Sequence, residues 1–275
     1  MPPFEGRNRL QFASLVASCD QTARFARPSF ATPAISDFSY SGTELDAVAE
    51  ATNYYRWIID SFANGLGKRI IEAGAGIGTV SELVLRRASP TQMLLVEPAE
   101  NNIPELRRRF EHDPRVQIYH GYLENVGGLF SADTVIAVNV LEHVDRDADF
   151  LRAAYAMLNP GGALLLVVPA LPAIYGSLDK AFDHYRRYTR PGLEKLLLSS
   201  GFRIETLHYI NFIGIAAWFS AGRIFHRRTL GRTQVRFYDR WVIPWLRRIE
   251  STVRPPIGQS LLAVARRPAA KSPNS

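Results

Sequence analysis

Three glycines at alternate positions, Gly74, Gly76 and Gly78, follow the acidic residue Glu72 at the end of a short apolar run. Glycines in such a loop let the backbone turn tightly and approach a ligand that a Cβ atom would exclude. The spacing differs from the Gly-x-Gly-x-x-Gly pattern that cradles a dinucleotide pyrophosphate. A carboxylate at Glu72 also suits a cationic aminoacyl group better than a phosphate. The run therefore predicts a ligand-binding loop, with a tight strand-to-helix turn as the alternative.

A second acidic residue, Glu97, ends the next apolar run. An acid about 20 residues beyond such a glycine loop can accept hydrogen bonds from both hydroxyls of a ribose. A solvent-exposed glutamate at a strand end is the alternative. Taken with the glycine loop, Glu97 predicts a nucleoside ligand.

Alternating strand and helix signals surround these residues. Short, almost uniformly apolar runs predict seven strands, at 69–73, 93–96, 116–119, 134–138, 163–168, 202–207 and 260–265. Helical spacing of apolar residues predicts helices at 44–62, 79–87, 102–110, 148–158 and 191–200. Buried strands that alternate with helices predict an α/β fold, whose mostly parallel sheet is covered on both faces. Such sheets bind ligands outside the carboxyl ends of their strands.

The chain divides into three predicted parts: an N-terminal arm at 1–43, one α/β domain at 44–268 and a disordered tail at 269–275. Within the domain, an insertion at about 206–257 is predicted to form a lid over an acceptor pocket. Its most apolar stretch, 209–225, is shorter than the roughly 20 residues that a transmembrane helix needs. A surface helix that dips into lipid is the alternative to a lid.

The formal charge of +7 is concentrated in arginines after residue 220. A basic stretch can bind nucleic acid, an anionic membrane or an acidic substrate, and a solvated helix face is the alternative. No zinc-ligand spacing and no aromatic nucleic-acid signature accompany the charge, so a nucleic-acid partner is not expected, whereas peripheral membrane contact stays open. The single Cys19 and an N-terminus without a signal-peptide pattern favour a cytoplasmic location.

Six further segments complete a family resemblance. They are 53–57 (Asn-Tyr-Tyr-Arg-Trp), 139–143 (Asn-Val-Leu-Glu-His), 158–162 (Leu-Asn-Pro-Gly-Gly), 175–179 (Tyr-Gly-Ser-Leu-Asp), 184–189 (His-Tyr-Arg-Arg-Tyr-Thr) and 256–261 (Pro-Ile-Gly-Gln-Ser-Leu). With the glycine loop and Glu97, the chain resembles class I S-adenosylmethionine-dependent methyltransferases, and among them a bacterial branch similar to types 11 and 12. The resemblance implies a Rossmann-like fold and methyltransferase activity.

The resemblance also implies S-adenosylmethionine as the cofactor and S-adenosylhomocysteine as its product. Glu72 and the backbone of Gly74 would surround the methionine moiety, while Gly76 and Gly78 would shape the loop. Glu97 would hold the ribose.

Other cofactor contacts implied by the resemblance come from later segments. Asn139 would contact the methionine end, and Tyr54 would also contact the ligand. Residues 121–124 would flank the adenine. Many relatives carry an aspartate where this chain has Tyr122, so the adenine contact would come from the Leu123 backbone or from Glu124.

A base helps to remove the proton if the acceptor is a hydroxyl or an amine. His184, in a polar loop after the fifth predicted strand, is the leading candidate, with His143 and Tyr188 as further candidates. Alternatively, His184 ties its loop down by hydrogen bonds and His143 has a structural or cofactor-supporting role. The acids at 145, 147 and 149 are explained by the preference for acids in the first turn of a helix, and no metal is expected.

The expected acceptor is a small or medium-sized, largely apolar metabolite of secondary or lipid-linked metabolism, methylated on oxygen before nitrogen before carbon. Arg186 and Arg187 suggest an anionic group on it, and Tyr55, Tyr175 and Trp218 complete the predicted acceptor contacts. One alternative is a nicotinamide-dependent oxidoreductase, although the glycine spacing and the nearby acid speak against it. The other is a non-enzymatic nucleic-acid or membrane module using the basic C-terminal third. The sequence does not specify the oligomeric state.

Overall fold

A computed structural model describes residues 49–269, except for the side chain of Leu129. The predicted N-terminal arm and the tail from residue 270 lie outside the described residues. The predicted helix at 44–62 is described only from residue 49, and the structure begins it at Thr52.

All seven predicted strands are present and form one sheet. They are β1 (Arg69–Ala73), β2 (Gln92–Glu97), β3 (Val116–His120), β4 (Ala132–Val138), β5 (Leu158–Pro169), β6 (Arg203–Ile210) and β7 (Ser260–Arg266). The strand order is β3-β2-β1-β4-β5-β7-β6. Neighbours from β3 to β5 pair in parallel, whereas β7 runs antiparallel to both β5 and β6. The predicted α/β, mostly parallel seven-stranded sheet is confirmed.

Ten α-helices of residues 49–269 accompany the sheet. They are α1 (Thr52–Ser61), α2 (Thr79–Ala88), α3 (Ile103–Phe110), α4 (Leu123–Val126), α5 (Asp147–Met157), α6 (Ser177–Ala181), α7 (Arg190–Ser199), α8 (Phe212–Phe219), α9 (Arg232–Phe237) and α10 (Ile243–Glu250). Side chains of consecutive strand residues point to opposite faces of a sheet. Since the consecutive residues Ile70 and Ile71 are both fully buried, the sheet is covered on both faces.

The insertion between the last two strands, called the lid here, comprises residues 211–259. It starts later than the predicted residue 206 because β6 continues to Ile210. The lid contains α8, α9 and α10, with π-helical turns at Ser220–Ile224 and Tyr238–Val242. Glu250 fixes its start, since its carboxylate accepts hydrogen bonds from the backbone N–H groups of Asn211 (2.9 Å) and Phe212 (3.0 Å). No helix among residues 49–269 is long and apolar enough to cross a membrane.

Candidate active site

A cavity of about 840 Å³ lies between the lid and the carboxyl ends of β1, β4 and β5. Many of the predicted site residues line its wall: Tyr54, Tyr55, Glu72, Gly74, Gly76, Asn139, His143, His184, Arg187 and Trp218. Residues predicted to bind the methyl donor and residues predicted to bind the methyl acceptor therefore line the same cavity.

The glycine loop between β1 and α2 requires its glycines for two reasons. Gly74, Gly76 and Gly78 have φ values of +68°, +55° and +87°, a left-handed region that side chains disfavour. A Cβ atom at Gly74 would lie 2.6 Å from Cγ2 of Val140, and one at Gly78 would lie 2.4 Å from Cε2 of Phe110. Neither position has room for a side chain, and Gly74 also lines the cavity, whereas Gly78 packs against the fold.

Glu72 is a buried acid on the cavity wall, with 3% of its surface exposed. Its Oε2 has no hydrogen-bond partner among the described residues. Burial raises the pKa of Glu72 to about 8. The negative charge of Glu97 also raises this pKa, whereas the nearby Ser81 hydroxyl lowers it. An unpartnered buried carboxylate is unfavourable. A cationic ligand group in the cavity would remove that penalty.

Glu97 holds the glycine loop from behind and does not line the cavity. Its Oε2 accepts a hydrogen bond from the Gly76 N–H (2.7 Å), and its Oε1 accepts from the Ala99 N–H (2.9 Å) and Asn102 Nδ2 (3.1 Å). Burial nevertheless raises the pKa of Glu97 above its ordinary value. The ribose contact stays a prediction, and the structure adds a role in fixing the loop.

Asn139 follows β4 in the left-handed region, at φ +54°, which asparagine tolerates better than most residues. Its backbone N–H donates to the Val167 carbonyl at 2.9 Å, which fixes it on the cavity wall. The predicted adenine flank lies away from this cavity, with Leu123 buried and Glu124 exposed. The adenine contact therefore stays a prediction.

The lid caps the helix that carries two cavity tyrosines. Asp239 of the lid accepts hydrogen bonds from the backbone N–H groups of Asn53 (3.0 Å) and Tyr54 (2.9 Å) at the start of α1. These are donors that a helix cannot satisfy internally. Tyr54 and Tyr55 line the cavity, and the Tyr54 hydroxyl lies 3.3 Å from Ser260 Oγ.

Asp179 is a fully buried acid that holds three of the predicted catalytic and acceptor residues, His184, Arg187 and Trp218, in place. Its Oδ1 accepts from His184 Nδ1 (3.1 Å) and Arg187 Nε (2.7 Å). Its Oδ2 accepts from the Gly176 N–H (2.9 Å) and Trp218 Nε1 (3.1 Å). Burial alone would raise the pKa of Asp179, but these hydrogen bonds and the charge of Arg187 outweigh it and lower the pKa to about 2. Asp179 is therefore an anion around neutral pH.

Glu142 is fully buried on the cavity wall, and neither of its carboxylate oxygens has a hydrogen-bond partner among the described residues. Burial raises its pKa to about 7, although His184 and Arg187 act in the opposite direction. Burial also lowers the pKa of His143 to about 3, so this imidazole is neutral around pH 7. Ligand atoms of Glu142, His143 and His184 lie within 4.8 Å of one another, a grouping that could also hold a metal ion.

Three of the predicted catalytic and acceptor-binding residues, Tyr188, Tyr175 and Arg186, do not line the cavity. The Tyr188 hydroxyl donates to the Leu141 carbonyl at 3.2 Å, and burial raises its pKa well above the ordinary value. Its catalytic role stays a prediction. Tyr175 Oη donates to the His184 carbonyl at 2.7 Å and thereby supports the loop. Arg186 pairs with Asp147 of α5 at 3.0 Å, and its contact with the acceptor stays a prediction.

Sequence reasoning missed three acids that shape the cavity: Glu142, Asp179 and Asp239. The first two lie within segments that carry the family resemblance, but that pattern does not indicate that they are buried beside the cavity. Asp239 is one of only two acids among the lid arginines, which is a signal that it is buried and paired. Its burial, with 4% exposed, agrees with that signal.

Comparison with known proteins assigns the chain to a family. Residues 47–207 match a family model described as a methyltransferase domain. A "Probable S-adenosylmethionine-dependent methyltransferase" of Mycolicibacterium smegmatis is 29% identical over 154 residues, which cover 54% of this chain and 58% of that protein. A ubiquinone biosynthesis O-methyltransferase of Xanthomonas euvesicatoria is 27% identical over 50% of this chain and 64% of its own length. The chain thus spans less than two thirds of either relative.

Solved structures share the fold at low sequence identity. A cyclopropane synthase from Mycobacterium tuberculosis superposes with a TM-score of 0.52 at 14% identity, covering 76% of this chain and 82% of the other. At this identity the likeness concerns the fold alone.

Proposed function

The chain belongs to the class I S-adenosylmethionine-dependent methyltransferases, and from that premise we propose that it transfers a methyl group to an oxygen of an apolar metabolite. Family membership favours this function over a nicotinamide-dependent oxidoreductase. S-adenosylmethionine supplies an electrophilic methyl group on its sulfonium when bound. A cytoplasmic location belongs to the same proposal.

The donor side of the cavity fits this cofactor in two respects. The unpartnered Oε2 of Glu72 can accept hydrogen bonds from the cationic amino group of a methionine moiety. Gly74 brings its backbone to the cavity wall, where the packing of Val140 leaves no room for a side chain. Both features recognise the aminoacyl end of the ligand, which a dinucleotide lacks.

The single observation that carries the proposal is the buried carboxylate of Glu142. A hydroxyl acceptor loses its proton when its oxygen bonds to the methyl carbon and the sulfur keeps the electrons of the broken bond. A pKa of about 7 suits Glu142 to accept that proton at neutral pH. His143, whose pKa is about 3, is a much weaker base.

His184 is the leading candidate for the base in the sequence analysis, but in this proposal it supports Glu142, whose carboxylate accepts the proton. Its Nδ1 faces the anionic Asp179, an arrangement that fixes the orientation of the imidazole. Its ring stacks on Trp218, with an interplanar angle of 2° and a centroid distance of 6.4 Å. These contacts preorganise the ring beside the acceptor, and alignment of the acceptor is the main requirement of methyl transfer.

An apolar acceptor fits the far wall of the cavity. That wall is formed by large apolar side chains from the lid and from the loop around α6: Leu178, Phe182, Trp218, Phe225, Leu230 and Phe237. The name of the Xanthomonas relative, which specifies O-methylation in ubiquinone biosynthesis, supports oxygen as the nucleophile and a lipid-linked acceptor class. Arg187 and Arg227 are the arginines that line the cavity among the described residues.

The test incubates the purified protein with methyl-labelled S-adenosylmethionine and with lipid and small-molecule extracts of the cells that express it. Mass spectrometry of the labelled product should reveal an O-methylated apolar compound. Glu142→Gln should slow its formation by about 10²- to 10⁴-fold with unchanged S-adenosylhomocysteine affinity. Glu100→Gln, a change at an exposed site, is the matched control. An N- or C-methylated product, or full activity of Glu142→Gln, would contradict the proposal.

A further inference from the structure

The lid carries the entire formal net charge of the chain. Residues 211–259 contain nine arginines, no lysine and the two acids Asp239 and Glu250, a balance of 9 − 2 = +7. The whole chain also has a formal charge of +7, so the remaining residues sum to zero. The arginines are Arg223, Arg227, Arg228, Arg232, Arg236, Arg240, Arg247, Arg248 and Arg254.

The two lid acids are turned inward, so the outer surface of the lid is positive. Asp239 and Glu250 are 4% and 7% exposed, and their carboxylates accept backbone N–H groups at the starts of α1 and α8. Within the described residues, Arg236 pairs with Glu50 (3.1 Å) and Arg247 pairs with Asp60 (3.0 Å), both acids outside the lid. No acidic side chain of the lid itself is exposed.

An apolar stripe runs through this positive surface. Five exposed side chains follow one another at intervals of four residues along α9, the second π-turn, α10 and the turn after it. They are Phe237 (64% exposed), Trp241 (58%), Trp245 (69%), Ile249 (52%) and Val253 (64%). Residues four apart are neighbours on one face of a helix. A row of this kind that no residue among 49–269 covers is typical of a docking surface.

We propose that this stripe and the surrounding arginines dock on an anionic lipid bilayer. Tryptophan is favoured at the membrane–water interface, and a basic amphipathic helix lies in that plane with its apolar face among the lipids. A second copy of the chain fits poorly, because it would bring +7 against +7. Nucleic acid would engage the arginines through its phosphates but offers no apolar layer to Ile249 and Val253.

The same surface is continuous with the active-site cavity at two side chains. Phe225 (68% exposed) and Phe237 (64% exposed) both line the cavity and are exposed at the surface of the lid. An acceptor held in the bilayer would therefore enter the cavity at this part of the lid. This second statement, that the acceptor is a lipid-embedded molecule, rests on the proposed function, whereas the docking surface does not.

The experiment measures sedimentation of the protein with phosphatidylcholine vesicles, with and without phosphatidylglycerol. We expect binding to the anionic vesicles, a blue shift of tryptophan emission and weaker binding as salt is raised. Trp241→Ser combined with Trp245→Ser should weaken binding by at least about tenfold for each tryptophan, since each loses buried apolar surface. Arg240→Glu with Arg248→Glu should weaken it and reduce its salt dependence.

Matched controls remove comparable groups elsewhere on the surface. Leu198→Ser on α7, 54% exposed, and Arg86→Ser on α2 should bind the vesicles like the unaltered protein. Binding that persists in the double tryptophan variant, or absence of binding to anionic vesicles, overturns the proposal. Displacement of the vesicles by RNA, with the tryptophans still exposed to solvent, overturns it in favour of a nucleic acid.

A separate readout distinguishes this inference from the proposed function. S-adenosylhomocysteine affinity of the double tryptophan variant should equal that of the unaltered protein, because neither tryptophan lines the cavity. Loss of vesicle binding with intact S-adenosylhomocysteine binding supports the docking surface alone. Vesicle binding by a protein that methylates only water-soluble acceptors would overturn lipid entry and leave methyl transfer standing.

Discussion

Glu72→Gln tests the assignment of the donor site most directly, since it removes a charge while keeping the shape of the side chain. In the free protein the pKa of Glu72 is about 8, so the group is mostly protonated at pH 7. A cationic amino group in the cavity stabilises the ionised form, so binding must expel the proton. S-adenosylhomocysteine carries this amino group, whereas 5′-methylthioadenosine lacks the entire aminoacyl end. The two ligands therefore isolate the contribution of Glu72.

The size of the effect follows from the pKa. At pH 7 about nine tenths of the free Glu72 is protonated. An ion pair worth about 1.5–3 kcal/mol lowers the pKa of Glu72 in the complex to about 6–7, so binding of S-adenosylhomocysteine at pH 7 should release about 0.5–0.85 proton. The affinity should then rise about 6- to 30-fold from pH 6 to pH 8. A hydrogen bond between charged groups contributes about 1.5–3 kcal/mol. Ionising Glu72 at pH 7 costs about 1.4 kcal/mol of that gain. The Gln variant should therefore lose only about fivefold in affinity at pH 7 and tenfold or more at pH 8.

Titration calorimetry in buffers of different ionisation enthalpy measures both the affinity and the proton release. Glu72→Gln should release no proton and should show a flat affinity between pH 6 and pH 8, whereas 5′-methylthioadenosine should bind both proteins equally. Glu100→Gln, at an exposed site, should behave like the unaltered protein. Equal weakening of both ligands by Glu72→Gln, or unchanged proton release, would refute a contact between Glu72 and the amino group.

Three further changes probe the buried acids. Glu142→Gln should raise the free energy of unfolding by about 1–3 kcal/mol at pH 8, because a neutral amide replaces an unpartnered carboxylate. Since the folded pKa of Glu142 is raised to about 7, the gain should shrink as the pH falls towards 4.5, which urea unfolding at pH 5 and pH 8 would reveal. Asp179→Ala leaves the buried Arg187 without its carboxylate and should lower the free energy of unfolding by about 3–5 kcal/mol in the same assay. Asp149→Ala, which removes only surface ion pairs, should lower it by less than about 1 kcal/mol. Asp239→Ala removes the cap of α1 and should cost about 0.5–2 kcal/mol, and an unchanged unfolding midpoint would contradict the capping role.

The sheet could be predicted from the sequence because its strands are short apolar runs with few alternatives. The sequence does not predict the start of β5 or the end of β6, and each difference has a physical reason. Strand β5 begins at Leu158, although Asn-Pro-Gly-Gly at 159–162 has the composition of a turn. Strand β6 reaches Ile210 at the edge of the sheet, where partly exposed residues weaken the apolar signal. The π-turns of the lid have no local sequence signature and arise from packing.

The site was predictable where residues sit at strand ends and less so where they sit in loops. Glu72, Gly74 and Asn139 follow β1 and β4, whose direction fixes them on the cavity wall. In the loop before α7, the side chains of two neighbouring arginines point in different directions. Arg187 faces the cavity and pairs with Asp179, whereas Arg186 pairs with Asp147 of α5. Which side chain turns inward depends on Asp179, a buried partner eight residues earlier that the sequence pattern does not indicate.

The capping of α1 by Asp239 has a consequence for how the two substrates are bound. One carboxylate joins the lid, which borders the acceptor, to the helix that presents Tyr54 and Tyr55 to the cavity. Displacing the lid removes the partners of two backbone N–H groups, so an ordered α1 and a seated lid stabilise each other. We therefore expect cooperative, reciprocal binding: a ligand that steadies α1 raises the affinity for the acceptor by the same factor as the acceptor raises the affinity for that ligand.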